Sequence, residues 1–240
     1  MRRGFGFSED FVRALKAAFP LTLPVLTGYL VLGAAYGMLM DSIGYGWGWT
    51  FFASLTTYAG SMQFVAVSLL AAGFNPLNTA LMTLMVNARH IFYSLSMLRR
   101  FEGMGKIKPY LIFGLTDETF SVLSANQTPE GIKPESFALS ITLLNHIYWI
   151  SGSVLGNLIG SMLPISTKGL EFALTALFVV IFLDQWRAVA HRIPAMIGIA
   201  SSLLALWIFG PGHFIIPALF IILIAITAAR RWLDPKERAL

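Results

Sequence analysis

The sequence predicts an all-α fold: a polytopic membrane helical bundle of about 7–8 hydrophobic segments, some of them broken or re-entrant helices. Composition is the first observation, because 56% of the 240 residues are hydrophobic and only 12% are charged, whereas soluble domains have about 25% charged residues. The second is that apolar runs recur along nearly the whole chain, with polar residues inside several of them. We therefore expect residues 1–240 to form a single integral membrane domain.

Charge and cysteine content exclude several classes of protein. The net charge is +5, but most basic residues sit at the chain ends and in short loops, as cytoplasmic anchoring requires, so no nucleic-acid partner is expected. The absence of cysteine excludes disulfides, thiol catalysis and thiolate metal sites. Arg2 and Arg3 are not followed by a compact apolar core with a small-residue cleavage site, so no cleaved signal peptide is expected.

The first two hydrophobic segments differ in the residues that interrupt them. After a mixed lead-in, residues 19–40 form the first predicted span, whose start is expected to be broken by Pro20 and Pro24. Residues 47–72 form the second segment, and small residues and an amide occupy its centre, from Tyr58 to Gln63. This centre is either a close-packed crossing with a satisfied polar side chain or a broken helix whose freed backbone groups face a substrate.

The third segment, residues 75–100, is long and apolar enough to cross a bilayer but carries Arg89 in its middle. Arg89 is roughly 15 Å along a helix from Arg99, too far to reach the nearer membrane surface easily. An ionisable group at that depth normally faces protein or a water-filled cavity, which makes it a functional hypothesis. One helical face of this segment is predicted to be polar; it comprises Thr79, Thr83, Asn87, His90 and Ser94.

The loop at residues 99–108 contains four basic residues and one acidic residue, which favours the cytoplasm. Three full crossings from a cytoplasmic N-terminus would place it outside. Either one early segment is re-entrant or the loop violates the charge rule, and the sequence leaves both alternatives open.

The segment at residues 110–125 is too short and too polar for an ordinary span, and Asp117 and Glu118 would be costly against lipid. We expect a half-helix lining a cavity, the alternative being an interfacial helix with solvated acids. A polar loop precedes a long span at residues 137–163, in which Gly152, Gly156 and Gly160 predict a close-packing seam. His146 in that span is either a hydrogen-bonded core histidine or a proton carrier.

Three further spans are predicted at residues 168–186, 193–209 and 213–228, and a basic tail follows them. Asp184, at the end of the first, is expected at the membrane interface rather than in a site. The basic residues after residue 186 and in the tail place the C-terminus in the cytoplasm.

No enzyme signature occurs, because the chain lacks a Walker loop, a nucleotide fingerprint and an HExxH motif. The alternative of an intramembrane hydrolase would require Asp117 and Asp184 to form a catalytic aspartyl pair. The 4 histidines have no ligand-like spacing, so neither metal nor cofactor is expected. Arg89 suits a carboxylate, because its guanidinium binds one bidentately. Asp117 or Glu118 could neutralise Arg89 or carry a proton. From the residues alone we infer a polar cavity within a helical bundle.

These residues also resemble the AzlC family of branched-chain amino acid exporters, in the right order and over nearly the whole chain. One departure is His146, where the family would have Gln after Asn145. The matching motifs are Ala59-Gly60-Ser61-Met62-Gln63-Phe64, Val86-Asn87-Ala88-Arg89-His90 with Tyr93, Leu115-Thr116-Asp117-Glu118, and, more weakly, Asn145 before Tyr148-Trp149 and Glu171-Phe172-Ala173 to Ala176-Leu177-Phe178.

The resemblance implies a large subunit in a bacterial plasma (inner) membrane that works with a small AzlD-like membrane subunit. Such pairs export leucine, isoleucine, valine and sometimes methionine using the proton-motive force. For this chain we predict substrate-binding roles for Gln63, Asn87, Arg89 and Asn145, with Arg89 holding the carboxylate. The predicted proton-coupling residues are Asp117, Glu118 and His90. The alternative is a passive channel or structural subunit whose buried polar residues only hold helices together.

Overall fold

The computed structural model describes residues 9–73, 75–163, 192–211 and 214–229, with isolated positions between 164 and 191. Within these residues the regular structure is helical, with nine α-helices, one short 3-10 turn and no strand. The all-α membrane class is therefore confirmed. The chain divides into two compact units, Met1–Leu174 and Thr175–Leu240. Most of the predicted span at residues 168–186, including Glu171 and Asp184, and the basic tail lie outside the described residues.

Two long helices form the frame of the first unit. Helix α1 (Glu9–Ser42) and helix α7 (Pro134–Met162) pack against each other through glycines on both sides. A Cβ atom at Gly33 would lie 2.8 Å from the backbone nitrogen of Ser153, and one at Gly156 would overlap the backbone of Ala34. The predicted glycine seam is thus confirmed: only the absence of side chains lets the two backbones approach this closely.

Helix α1 contradicts the expectation that Pro20 and Pro24 break its start. The helix begins at Glu9 and includes both prolines, so part of the predicted lead-in belongs to it. Each proline removes one backbone hydrogen bond. Packing of the long helix against its neighbours compensates for those losses, as it commonly does in membrane helices.

The second hydrophobic segment is a broken helix, as one of the two alternatives predicted, and that a substrate faces the break stays a prediction. Helix α2 (Trp47–Thr56) and helix α3 (Gly60–Ala71) have 10 and 12 residues, and residues 57–59 separate them. At about 1.5 Å per residue each half is far shorter than the roughly 30 Å hydrocarbon core. Tyr58 in the break has a φ of 40°, a left-handed conformation that is uncommon for a bulky side chain.

A second break follows helix α4 (Pro76–Met97) and the 3-10 turn (Gly105–Ile107). Helix α5 (Lys108–Phe113) ends before residues 114–116, and helix α6 (Asp117–Ala125) begins after them. The Oγ1 atom of Thr116 caps α6 by accepting a hydrogen bond from the amide of Thr119 at 3.3 Å. Thr119 and Leu123 are fully buried, so α6 is a packed half-helix rather than a solvated interfacial one.

The second unit contains helix α8 (Arg192–Phe209) packed against helix α9 (Ile215–Ala228). Among the described residues, three helices are long and apolar enough to cross a membrane, namely α1, α7 and α8. This number is below the predicted 7–8 because two segments are broken into short halves and because another lies largely outside the described residues. Helix α4 has 22 residues, but its polar face lowers its hydropathy, and α9, with 14 residues, is shorter than the three counted helices.

Candidate functional site

The two helix breaks lie side by side. The rings of Tyr58, in the first break, and Phe113, just before the second, have centroids 6.2 Å apart. A Cβ atom at Gly114 would lie 3.7 Å from the ring of Tyr58. Helices α3 and α6 therefore both begin in this region. Their first turns carry backbone N–H groups without intrahelical partners and a partial positive charge.

Arg89 of α4 connects these two helix starts. Its Nη1 atom lies 2.8 Å from Oδ2 of Asp117, the first residue of α6. Its Nη2 atom donates a hydrogen bond to Oγ of Ser61, in the first turn of α3. The side chains of Arg89 and Asp117 are 25% and 21% exposed. The described residues therefore enclose the ion pair only in part.

Glu118 lies beside this ion pair but has a different partner. Tyr29, a buried residue of α1, donates a hydrogen bond from Oη to Oε2 of Glu118 at 2.7 Å. The same Oη atom is 2.8 Å from Oγ1 of Thr116, the cap of α6. Glu118 itself is half-buried. The long frame helix α1 therefore holds the carboxyl group at the start of α6.

Asn145 of α7 joins the cluster through threonines. Its Nδ2 atom donates to Oγ1 of Thr119 at 3.1 Å, and Oγ1 of Thr116 donates to the same Thr119 oxygen at 3.1 Å. Asn145 has 0% exposure, and its Oδ1 atom is buried with no hydrogen-bond donor among the residues the structure describes. An orphaned buried acceptor is unusual and needs an explanation.

Gln63 of α3 is bound by protein at both ends of its amide. Its Nε2 atom donates to Oγ of Ser54 at 3.3 Å, and its Oε1 atom accepts a hydrogen bond from Nε1 of Trp149 at 2.8 Å. The Trp149 ring packs edge-on against Tyr29 at 5.3 Å. Gln63 therefore fixes a tryptophan that supports the Tyr29–Glu118 pair, and its amide is already satisfied.

The remaining predicted residues, Asn87 and His90, lie on the same helix as Arg89. The Oδ1 atom of Asn87 is buried without a hydrogen-bond partner among the described residues. The His90 ring lies edge-on to Tyr93 at 5.9 Å, and Tyr93 stacks on Phe120 of α6 at 4.7 Å. Aromatic packing thus keeps α4 and α6 together next to the ion pair.

His146 is a hydrogen-bonded core histidine, as one of the two alternatives predicted. It is 5% exposed, and its Nδ1 and Nε2 atoms lie 3.1 Å from Oη of Tyr110 and 3.3 Å from the carbonyl of Ser54. Its ring stacks on that of Tyr58, with centroids 4.1 Å apart. These contacts engage both ring nitrogens with protein.

The structure thus brings Arg89, Asp117 and Glu118 together and links Asn145 to them. Sequence reasoning missed Tyr29, for which the available signal was a tyrosine within an apolar span, whose hydroxyl needs a partner. It also missed the cap formed by Thr116 and Thr119, which the TxxT spacing before a short helix could have indicated. In the described part of the chain, no group of three or more His, Asp or Glu side chains is arranged to hold a metal.

The structure places a guanidinium and two helix starts, all of which favour negative charge, next to a second carboxyl group. The polar cluster carries three kinds of group suited to a zwitterion: a guanidinium, two carboxylates and unpaired amide oxygens. A small solute with opposite charges could engage all of them.

Comparisons with known proteins identify the family to which the chain is similar. The family model described as AzlC protein matches residues 24–163. The chain is 44% identical over 93% of its length, and 88% of the relative's, to the branched-chain amino acid transport protein AzlC of Bacillus subtilis. It is 41% identical, over 94% of its own length and 99% of the relative's, to an uncharacterized membrane protein of Helicobacter pylori.

A more distant relative is the inner membrane protein YgaZ of Escherichia coli, which is 31% identical over 69% of this chain and 71% of its own length. No solved structure matches. The family match covers more than half of the chain, and it includes both helix breaks and Arg89. The chain therefore belongs to the AzlC family and is a membrane protein of an amino acid transport family.

Proposed function

We propose that this protein is a secondary active transporter that exports branched-chain or similar apolar amino acids, coupled to protons. It acts as the large subunit of a two-component permease with a small AzlD-like membrane subunit. The observation that carries this proposal is the position of Arg89 between the starts of α3 and α6. Paired broken helices that begin at an anion-binding group are typical of secondary transporters. The Bacillus subtilis relative, named as a branched-chain amino acid transport protein, supports the substrate class.

In this proposal, substrate binding begins when the partner of the Arg89 guanidinium changes. Arg89 is paired with Asp117 in the structure. The substrate carboxylate replaces Asp117 as the partner of Arg89, since one guanidinium binds a carboxylate bidentately. The first turns of α3 and α6 add backbone N–H donors and their partial positive charge.

The amides have separate roles in this proposal. Asn87 and Asn145 each present a buried Oδ1 atom that has no donor in the described part of the chain, so each can accept a hydrogen bond from the substrate. Gln63 acts through Trp149, because both ends of its amide already bind protein. His90 lies next to Arg89 and is kept as a route for the coupling proton.

Efflux of preloaded, labelled leucine from bacterial cells tests the proposal. Cells that express the chain with its small subunit should lose leucine faster than empty-vector cells, and collapse of the proton gradient should remove the difference. Arg89→Gln should abolish the added efflux. Arg99→Gln, which removes the same charge from a turn outside the site, is the matched control and should not. Unchanged efflux upon expression would refute the proposal.

A second candidate is a passive channel or structural subunit, and the satisfied contacts of Gln63 and His146 favour it. In that case Arg89→Lys, which keeps the charge but not the bidentate fork, should lower the amount of folded protein. Efflux per folded molecule would then be unchanged and independent of the proton gradient. The proposed transporter instead predicts that Arg89→Lys lowers efflux per folded molecule and that wild-type efflux depends on the proton gradient.

A further inference from the structure

Glu118 differs from its neighbour Asp117 in the charge that faces it. Asp117 lies 2.8 Å from an arginine. Glu118 accepts its hydrogen bond from a neutral phenol, Tyr29. Among the described residues the structure pairs no lysine or arginine with Glu118. A half-buried carboxylate without a cation is unfavourable, so it needs either a proton or a positively charged ligand.

The surroundings of Glu118 contain phenols and a second carboxyl group. The titratable groups that face it are Tyr29 from α1, Tyr58 from the first break, Asp117 beside it and Tyr93 from α4. Helix α7 contributes Asn145, whose fully buried Oδ1 atom has no donor in the described part of the chain. A carboxyl group and an amide oxygen without a described donor, both near the start of α6, are the kinds of acceptor that suit a group with several N–H donors.

We propose that Glu118 and Asn145 form the subsite for the substrate's α-ammonium group, and that Glu118 holds either a proton or this ammonium, never both. This inference rests on the proposed function and deepens it. Competition for one carboxylate is then the coupling device, because each ligand must leave before the other binds.

The exchange balances in protons and charge. On the cytoplasmic side, protonated Glu118 releases its proton to water as the ammonium of leucine binds the resulting carboxylate. On the outer side, a proton from the medium binds the carboxylate and the zwitterion leaves. One proton enters for each amino acid that leaves, so the proton gradient drives export. Arg89 binds the substrate carboxylate in this cycle.

Isothermal titration of leucine tests the competition on the full-length chain with its small subunit. Titrations in two buffers with different ionisation enthalpies give the number of protons released upon binding. Wild-type protein should release up to about one proton per leucine, and its affinity should rise up to about tenfold per pH unit over the acid range. Glu118→Gln should bind leucine without proton release and with no pH dependence. Asp10→Asn, which alters a carboxylate held by Ser136 at 2.5 Å outside the site, should behave as wild type.

Two ligand analogues identify the group that competes with the proton. 4-Methylpentanoate lacks the ammonium of leucine and 3-methylbutylamine lacks its carboxylate. Binding of the amine, but not of the acid, should release a proton from wild-type protein. Glu118→Gln should reduce the preference for leucine over 4-methylpentanoate at least tenfold. Proton release that persists in this variant, or that occurs equally with the acid, would overturn the inference.

A measurement on wild-type protein covers the case in which Glu118→Gln does not fold. Dicyclohexylcarbodiimide modifies protonated carboxyl groups in apolar surroundings, and mass spectrometry locates the modified residue. Leucine should protect Glu118, whereas 4-methylpentanoate should not. Equal protection by both ligands would refute the ammonium subsite. Absence of any leucine binding would instead refute the proposed function, so the two failures are distinguishable.

Discussion

Arg89 and Asp117 form an ion pair of 2.8 Å that joins the middle of α4 to the first residue of α6. The same guanidinium reaches Ser61 in the first turn of α3. One side chain thus ties together the starts of two half-helices that are distant in sequence. An arginine in an apolar span is expensive unless it is compensated, and here the carboxylate of Asp117 compensates it.

Removal of one partner of this pair should destabilise the protein. Asp117→Asn is expected to lower the free energy of unfolding by about 1–3 kcal/mol, because it leaves the Arg89 charge uncompensated in a partly buried site. The double variant Arg89→Gln/Asp117→Asn should lose less than the sum of the two single variants. Thermal unfolding in detergent, analysed as a double-mutant cycle, measures this coupling. Strictly additive losses would contradict the ion pair.

The seam between α1 and α7 predicts opposite effects for two glycines of the same helix. Gly33→Ala places a Cβ atom 2.8 Å from the Ser153 backbone nitrogen, whereas Gly28→Ala meets nothing within 4 Å. The first should destabilise the protein by about 1–3 kcal/mol through overpacking. The second should be neutral or stabilising by up to about 1 kcal/mol, since alanine favours helix over glycine. The melting temperatures of both variants measure the difference, and equal values would refute the close contact.

Tyr58 predicts an unusual order of substitutions. Its backbone is left-handed, with a φ of 40°, and its ring is stacked on His146. Both Tyr58→Ala and Tyr58→Gly lose the ring, but only glycine adopts positive φ without strain. The Gly variant should therefore be about 1 kcal/mol more stable than the Ala variant, the reverse of the order in an ordinary helix. Chemical denaturation compares them, with Tyr58→Phe as the variant that keeps the ring.

His146→Gln separates a structural histidine from a proton carrier. Glutamine retains a donor and an acceptor for Tyr110 and the Ser54 carbonyl but cannot titrate. We expect full leucine efflux with an unchanged dependence on pH, and a loss of stability of about 1 kcal/mol from the missing ring stack. Efflux that lost its pH dependence would assign the coupling proton to this residue instead.

Local sequence features predicted several parts of the fold. Gly152 and Gly156 predicted the seam because small residues at a spacing of four lie on one helix face. The small residues around Gly60 predicted either a close-packed crossing or a broken helix, and the cost of burying Arg89 predicted a polar partner. The break predicted at Pro20 and Pro24 was wrong, because proline rules describe isolated helices. The packing that offsets the lost hydrogen bonds involves residues distant in sequence.

The sequence by itself determined that this is a helical membrane protein with an arginine that must be compensated, since hydropathy, helical period and the cost of burying charge are local properties of the chain. Only the tertiary structure decided that Asp117 pairs with Arg89 and that Glu118 accepts a hydrogen bond from Tyr29. In the linear sequence, nothing distinguishes the roles of two adjacent carboxylates such as Asp117 and Glu118. They become different when α1, α4 and α6 converge, because each then faces a different helix. Asp117 therefore lies against a cation and Glu118 against a neutral phenol.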